Sequence, residues 1–349
     1  MANDLKRYQE KSITPVEEYV CTLSDDLQKI AENELRETDK LRIHSLKALR
    51  DWVMENQRII KCRLDNMVLL KVLRVKKYSI PLAQETIERQ LLFHEGLDGY
   101  DFFSNVDVLK PHVLEMLEKG LITVLPKRDE NRRLTIYIRF ELIDPAIPEI
   151  GNVFLSLVTI LLEILTDDEE NQIRGFNYIF DLSGANLKQL LIFPIDIWLK
   201  IGKNSEKALA IRHKSFHFLN VHPSAMFLIK FFMKHMPDKL RKRVKLYTTN
   251  LAESGIVPLD NIPTEYGGTI PMKTITDEWK ELILSKKEYF ESYKDVRINR
   301  ALYPQSYLDC TLDSLKVPVN HLDFNNNIKS KNEYVSAGVI GSFRKLEID

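Results

Sequence analysis

Two histidines, His213 and His217, stand four residues apart in an alternating run with Ser215, Phe216, Phe218, Leu219 and Asn220. On a regular strand that spacing sets both rings on one face. It is the beginning of a metal pair, but no third ligand is spaced nearby, and two structural histidines are expected. Asp167, Asp168, Glu169 and Glu170 form a run of four carboxylates just past an apolar segment of helical pattern. A solvated turn fits that position better than a metal site. Asp181 closes a strand-like run, where α/β enzymes often hold catalytic groups, and the adjacent Ser183 and Gly184 suit a turn equally well. No GxSxG elbow, P-loop, GxGxxG or HExxH is present. Gly338 and Gly341 make a lone GxxG, read as a turn. The sequence therefore indicates a non-enzymatic protein with no metal site and no cofactor.

The other notable chemistry is apolar and cationic, within residues 211–245. Pro223 opens a segment that is apolar almost all round up to Met236, and Lys239, Arg241, Lys242, Arg243 and Lys245 follow it. A helix that is hydrophobic all round belongs in a core or a membrane. Joined to a cationic cluster, it has a third use as a movable cover that meets a lipid surface. Cations past a helix end also complement its dipole, and the residues by themselves favour that plainer reading.

Composition narrows the partners. The chain has 349 residues, 44% hydrophobic and 29% charged, with 50 Lys plus Arg against 50 Asp plus Glu. No global field attracts nucleic acid, so anion binding must come from local clusters acting within a Debye length of about 10 Å. Cys21, Cys62 and Cys310 are odd in number and lack CxxC spacing, which fits free thiols in a reducing compartment. The polar opening residues show no signal-peptide core and no CaaX box closes the sequence. The longest apolar run, 153–165, falls short of the ~20 residues that a spanning helix needs. A soluble, cytoplasmic, monomeric protein that touches membranes reversibly is expected.

Three stretches must position these groups. Residues 1–95 are helical in pattern: Thr14, Pro15, Glu17 and Glu18 make a helix start, and apolar residues recur at 3- and 4-residue spacing through Leu46, Leu49, Val53, Leu69 and Leu73. Residues 96–275 alternate strand-like runs (134–140, 175–181, 216–221, 244–247) with helical ones (152–165, 187–201, 224–236), which implies a mainly parallel sheet flanked by helices. Their large apolar helix residues exceed what one flat sheet face requires, a hint of an internal cavity or of a generous core. Residues 276–349 begin with a helix over 276–293 and continue as an extended tail that packs back on the body.

Three segments together resemble the CRAL-TRIO lipid-binding family, in the branch of alpha-tocopherol transfer protein and cellular retinaldehyde-binding protein. Residues 69–78, Leu-Leu-Lys-Val-Leu-Arg-Val-Lys-Lys-Tyr, are similar to the family's L-x-R-F-L-R-A-R-K-F. Residues 175–184 resemble G-x-x-x-I-F-D-L-x-G, and residues 263–268 resemble P-x-E-Y-G-G. The ending 341–346 is similar to endings of arthropod members.

The resemblance implies an α/β fold in which an N-terminal helical bundle precedes a lipid cage closed by a gate helix, here residues 221–236. It implies a small lipophilic cargo: a retinoid, carotenoid, tocopherol-like, sterol or fatty ligand. The family's lining positions fall on Leu155, Val158, Leu162, Phe176 and Phe180, and on Phe193, Ile201, Leu209 and Phe216, with Met226 and Phe227 of the gate. Its phosphoinositide cleft falls on Lys76, Arg212, Lys214, Lys239 and Arg243, with Arg241 alongside, and Glu85 replaces one cleft arginine. Val158 and Leu162 stand where a tocopherol carrier has serines, which argues for a drier pocket. The implied function is binding and transfer of the cargo, with phosphoinositides opening the gate at membranes. The competing readings are a lipid-responsive adaptor that recruits a protein partner through its tail, and an enzyme acting on the bound lipid.

Overall fold

A computed structural model describes residues 2–94 and 107–312. The chain opens with helix α1 (Ala2–Gln9), and α2 (Asp25–Ile30) runs into a single π-helical turn, Ala31–Leu35. Next come α3 (Asp39–Glu55), strand β1 (Ile59–Lys61), α4 (Asn66–Val75) and α5 (Ile80–His94). Side-chain caps fix three of these starts: Ser24 for α2, Thr38 for α3 and Asp65 for α4. Thr14 and Pro15 start no helix, and residues 15–24 are non-helical. The Thr14 hydroxyl instead donates to Asp65 (2.9 Å), and the Glu17 carbonyl accepts from Asn66 (3.2 Å). These tertiary hydrogen bonds outweigh a local capping preference.

The second part begins with α6 (Pro111–Glu118), β2 (Ile122–Val124), β3 (Leu134–Arg139), α7 (Ile150–Thr166), α8 (Glu169–Arg174) and β4 (Phe176–Asp181). It continues through α9 (Leu187–Leu190), α10 (Ile195–Ala208), β5 (His213–Leu219), α11 (Pro223–His235), α12 (Asp238–Arg241) and β6 (Val244–Leu246). The sheet order is β2-β3-β4-β5-β6, antiparallel at β2/β3 and parallel elsewhere. The helix expected over 187–201 is two helices, because Pro194 supplies no amide hydrogen and sits at the start of α10. Residues 276–293 likewise divide into α13 (Met272–Ser285) and α14 (Lys287–Ser292). Strand β7 (Arg297–Ile298) then returns to pair with β1, and α15 (Gln305–Leu312) follows. That β1/β7 pairing interrupts the helical N-terminal part. The expected tail packing and the ending 341–346 lie outside the described residues.

Each face of the sheet buries a different core. Ile136, Ile138, Phe176 and Tyr178 face the cluster that includes α7, α10 and α11, whereas Tyr137, Ile179 and Leu219 pack on Leu251, Val257 and Ile262. Register decides where the two histidines go. Phe176 pairs with His213, but Asn177 pairs with Ser215, so the β4/β5 ladder shifts by one residue. The shift turns His213 to the Tyr178 and Phe216 side and leaves His217 on the opposite side, beside Ser215 and Tyr247. The two rings are therefore not on one face, and no metal pair exists there.

Buried charge joins the helical bundle to the α/β part. Arg74 of α4 is wholly buried and chelates Glu37 through two 2.8 Å hydrogen bonds. It also reaches Glu169 (2.6 Å) and Gln172 (2.8 Å) on α8, while Arg42 holds Glu37 from the other side (2.8 Å). One turn earlier Lys71 grips Glu163 of α7 at 2.9 Å, and Tyr293 donates to the same carboxylate at 2.6 Å. Burial alone would raise the Glu37 and Glu163 carboxyls, yet their cations hold both below the usual range. In the 167–170 run the expected turn is confined to Asp167 and the exposed Asp168, whereas Glu169 and Glu170 open α8 and are tied into ion pairs. Asp168 caps α8, Glu169 takes Arg74 and Tyr19, and Glu170 takes Arg132 and Arg174. The described residues pack as one compact unit.

Two outcomes follow from this packing. Arg74→Met leaves Glu37 and Glu169 buried without their shared cation. It should cost about 3–5 kcal/mol in denaturant unfolding, while loss of the exposed Lys273 should leave the midpoint unmoved. Burial holds both histidines neutral, helped by Arg243 and Lys239 at His213 and by Lys245 at His217, with both pushed down to about 4. The unfolded chain protonates them near 6.5, so it binds more protons between those values. Stability should be complete above about pH 6.5 and fall as pH drops toward 4, and His217→Gln should shrink the fall in Tm. An identical pH profile for this variant would remove His217 from the account.

Candidate functional site

The face turned to the helices is an aromatic surface. Tyr178 stacks on Phe216 at 5.1 Å, Phe180 on Phe218 at 4.7 Å, and His213 lies 5.4 Å from Tyr178, all between ring centroids. From this surface ring contacts pass to the helices in sequence. Phe180 meets Phe140 (6.3 Å), Phe140 meets Phe154 of α7 (6.3 Å), and Phe154 meets Phe193 (6.3 Å). Phe193 then meets Trp198 of α10 (5.0 Å), which meets Phe232 of α11 (6.1 Å). The sheet and α11 are thus linked through a chain of ring contacts.

The expected lining residues fall into three groups. Leu155, Leu162, Phe176, Phe193 and Leu209 are buried. Val158, Phe180, Ile201, Phe216 and Met226 are half-buried, packed against the same core. Half-burial is informative for Phe180 and Phe216, and for Phe218 beside them. They sit on inner strands of the sheet, on its helix-covered face, yet keep uncovered surface. Phe227 departs from expectation: it is 57% exposed and faces away from the core. Its helix buries only Ala225, Leu228 and Ile229, and position 227 lies just off that stripe, on the outward face.

Helix α11 begins cleanly and is loosely held. His222 caps it through the Ser224 amide and Pro223 occupies its first turn. Phe231, Phe232 and Met233 are half-buried, and Lys230 and Lys234 are exposed.

The cationic residues converge around the start of β5. Gly175, with φ +77°, lies against Arg212, and a Cβ there would stand 2.2 Å from the Arg212 carbonyl oxygen. That close approach lets the Phe176 amide donate to the same oxygen at 3.0 Å. Arg212 donates to the Ile173 carbonyl and pairs with Glu34 at 2.5 Å, and Lys214 approaches the same carboxylate at 3.6 Å. Arg243 donates to the His213 carbonyl. Burial first, then Arg212, Arg133 and Arg243, push the Lys214 ammonium down to about 8. A group so disfavoured in its charged form gains from any anion that approaches.

The other calls are placed as follows. Lys76 is half-buried at the C-terminal cap of α4, and Lys239 is exposed on α12, with its charge felt at His213. Arg241 pairs with Asp238 of its own turn at 2.5 Å. Glu85 pairs with Arg89 at 2.9 Å and lines a groove of about 680 Å³ on the helical bundle with Trp52, Arg58 and Tyr307. Asp181 is buried and committed to structure, accepting from Tyr137 (2.6 Å), Asn220 (2.8 Å) and the Ser183 amide (2.9 Å). Among the described residues no cluster of three or more His, Cys, Asp or Glu could hold a metal ion, and no helix is long and apolar enough to cross a membrane.

Sequence reasoning missed Glu34, Arg133 and the Tyr178–His213 pair. Glu34 comes from a part of the chain 178 residues distant from Arg212, so no local spacing signals it. His213 needed the ladder shift.

Comparison with known proteins agrees with this architecture. Residues 118–268 match the CRAL/TRIO domain. The chain is 29% identical to the alpha-tocopherol transfer protein-like protein of Mus musculus over 279 residues, 78% of each chain. It is also 29% identical to clavesin-1 of Mus musculus, over 71% of this chain and 70% of that one. Among solved structures, the crystal structure of Sfh5 is similar with a TM-score of 0.45 and 12% identity, over 77% of this chain and 99% of that one. Residues 118–268 are thus similar to the CRAL/TRIO domain, and the relatives extend the similarity across most of the chain.

Proposed function

We propose that the protein encloses one small lipophile between its sheet and α7, α10 and α11, and transfers it between membranes by displacing α11 at an anionic lipid surface. The observation that carries this reading is the incomplete cover over Phe180, Phe216 and Phe218. Apolar surface on inner strands beneath three helices is where a close-packed interior normally has none. A lipophile that buries ~400 Å² there gains about 10 kcal/mol before association costs. The names of the tocopherol-transfer relatives accord with this class of cargo. Val158 and Leu162 make the wall apolar, which suits retinoids, carotenoids, sterols or fatty ligands better than a carrier-bound hydroxyl surrounded by water. An unchanged cargo fits the commitment of Asp181, the strand-end carboxylate considered for catalysis, to three structural hydrogen bonds.

Exposed Phe227, half-buried Phe231 and the exposed Lys230 and Lys234 give α11 an outward face with an apolar body and cationic rim. Such a face partitions into an anionic lipid interface. Beside it, Arg212, Lys214, Lys239 and Arg243 would take a phosphoinositide headgroup, each charge-assisted hydrogen bond contributing about 1.5–3 kcal/mol. Glu34 already sits against two of these cations. A headgroup must therefore displace it, and the resting cleft discriminates against weakly charged surfaces.

A vesicle assay tests this reading. Purified protein should speed movement of a fluorescent lipophile from neutral donor vesicles to acceptors that contain phosphoinositide. Lys239→Ala with Arg243→Ala should weaken vesicle binding about tenfold or more and slow transfer, with cargo affinity in solution nearly unchanged. Glu34→Gln should bind the same vesicles more tightly, by up to about fivefold, since an exposed pair no longer has to be broken. Equal vesicle binding by parent and both variants would return the cleft to an ordinary solvated surface.

A further inference from the structure

Tyr178 and His213 interrupt an otherwise apolar wall. The Tyr178 hydroxyl and His213 Nδ1 are 2.9 Å apart, both residues are buried, and His213 Nε2 has no hydrogen-bond partner. Neither tautomer removes the deficit. If the phenol donates to Nδ1, the Nε2 hydrogen is an unmatched donor. If Nδ1 donates to the phenol oxygen, Nε2 is an unmatched acceptor. An unmade hydrogen bond at a buried polar group is costly, and native structures seldom keep one without a ligand or water to fill it.

The surroundings choose between these cases. Arg243 donates to the His213 carbonyl, and the charges of Arg243 and Lys239 act on the ring. Their positive potential favours an electron-rich incoming group, and an oxygen acceptor arriving there selects the Nε2–H form, with the phenol donating to Nδ1. The ring lies 5.6 Å from Phe216, at the edge of the aromatic surface over which the rest of a lipophile would lie. His213 thereby joins the two halves of the site: its ring belongs to the wall and its carbonyl to the cationic cleft.

Building on the carrier reading above, we propose that the cage binds its cargo by the head, with the Tyr178–His213 pair receiving the oxygen of a carboxylate-headed lipophile. A carbonyl or hydroxyl oxygen can take the same hydrogen bond, but only the carboxylate also gains from the two nearby cations. Phe216, Phe180 and Phe218 then contact the apolar chain.

Three ligands of one chain length separate the terms: a long-chain fatty acid, the corresponding alcohol and the parent alkane, each presented from cyclodextrin to the full-length protein at pH 7. The acid should bind about tenfold or more tightly than the alkane, with the alcohol between them. His213→Leu and the milder Tyr178→Phe should each reduce the acid's advantage to about threefold or less while leaving alkane affinity within about twofold, which also shows that the variants are folded. In parent protein labelled with 15N-histidine, the acid should shift the His213 Nε2 resonance, and the alkane should not. An acid advantage unchanged in both variants, or its absence in the parent while the alkane still binds, would overturn head-first binding and leave the carrier reading standing. Failure of all three ligands to bind would remove the carrier reading itself.

Discussion

Arg74 is a full positive charge without exposure to water, and the arrangement of the two parts of the molecule depends on how that charge is neutralised. A guanidinium in the interior survives only if its donors are used, and here Glu37, Glu169 and Gln172 use them with nearly ideal distances. These partners come from a loop of the helical part and from α8 of the sheet part, so the ion cluster fixes α4 against α7 and α8 in one orientation. Hydrophobic contact alone would tolerate small slides along the same interface. Charge-assisted hydrogen bonds to a planar fork do not. Helix α7, one wall of the proposed cage, is therefore anchored through Glu163 and the neighbouring α8.

The opposite wall is built from weaker materials. Helix α11 buries three residues and meets the rest through rings and methionines. Its surroundings offer dispersion and apolar burial, which distribute over many contacts and give way gradually. A rigid, ion-pinned back and a soft, aromatic front are what a container needs if one side is to open while the other keeps its shape. The cationic cluster lies at the boundary: Lys214 stands on the strand that carries Phe216 and Phe218, Arg212 directly precedes that strand, and Glu34 reaches both from the helical part. On the proposed reading, the cargo wall and the anion-binding edge meet at strand β5.

Much of this was legible from residue patterns. Apolar runs separated by Pro and Gly placed β3, β4, β5 and β6, and α7 and α11 between them, because strand and helix periodicities differ enough to be read directly. The convergence of Arg212, Lys214 and Arg243 was expected from a family resemblance rather than from spacing. What escaped was non-local. A capping sequence at Thr14 lost to hydrogen bonds with Asp65 and Asn66. A one-residue ladder shift separated His213 from His217. Glu169 and Glu170, polar enough for a solvated turn, became the acceptors of Arg74, Arg132 and Arg174. Phe227 looked like lining because every large apolar residue on a greasy helix looks alike until the buried stripe is known. For Thr14, His213 and Glu169 the deciding partner lies far away in sequence.

The central claim is that the space over the aromatic face is built for a lipophile and not merely loosely packed. Mass spectrometry of lipid extracted from protein purified gently from its native source tests it most directly. The account predicts one class of lipophile, in close to one-to-one ratio with the chain. Repeated native preparations that carry no stoichiometric lipophile would contradict it.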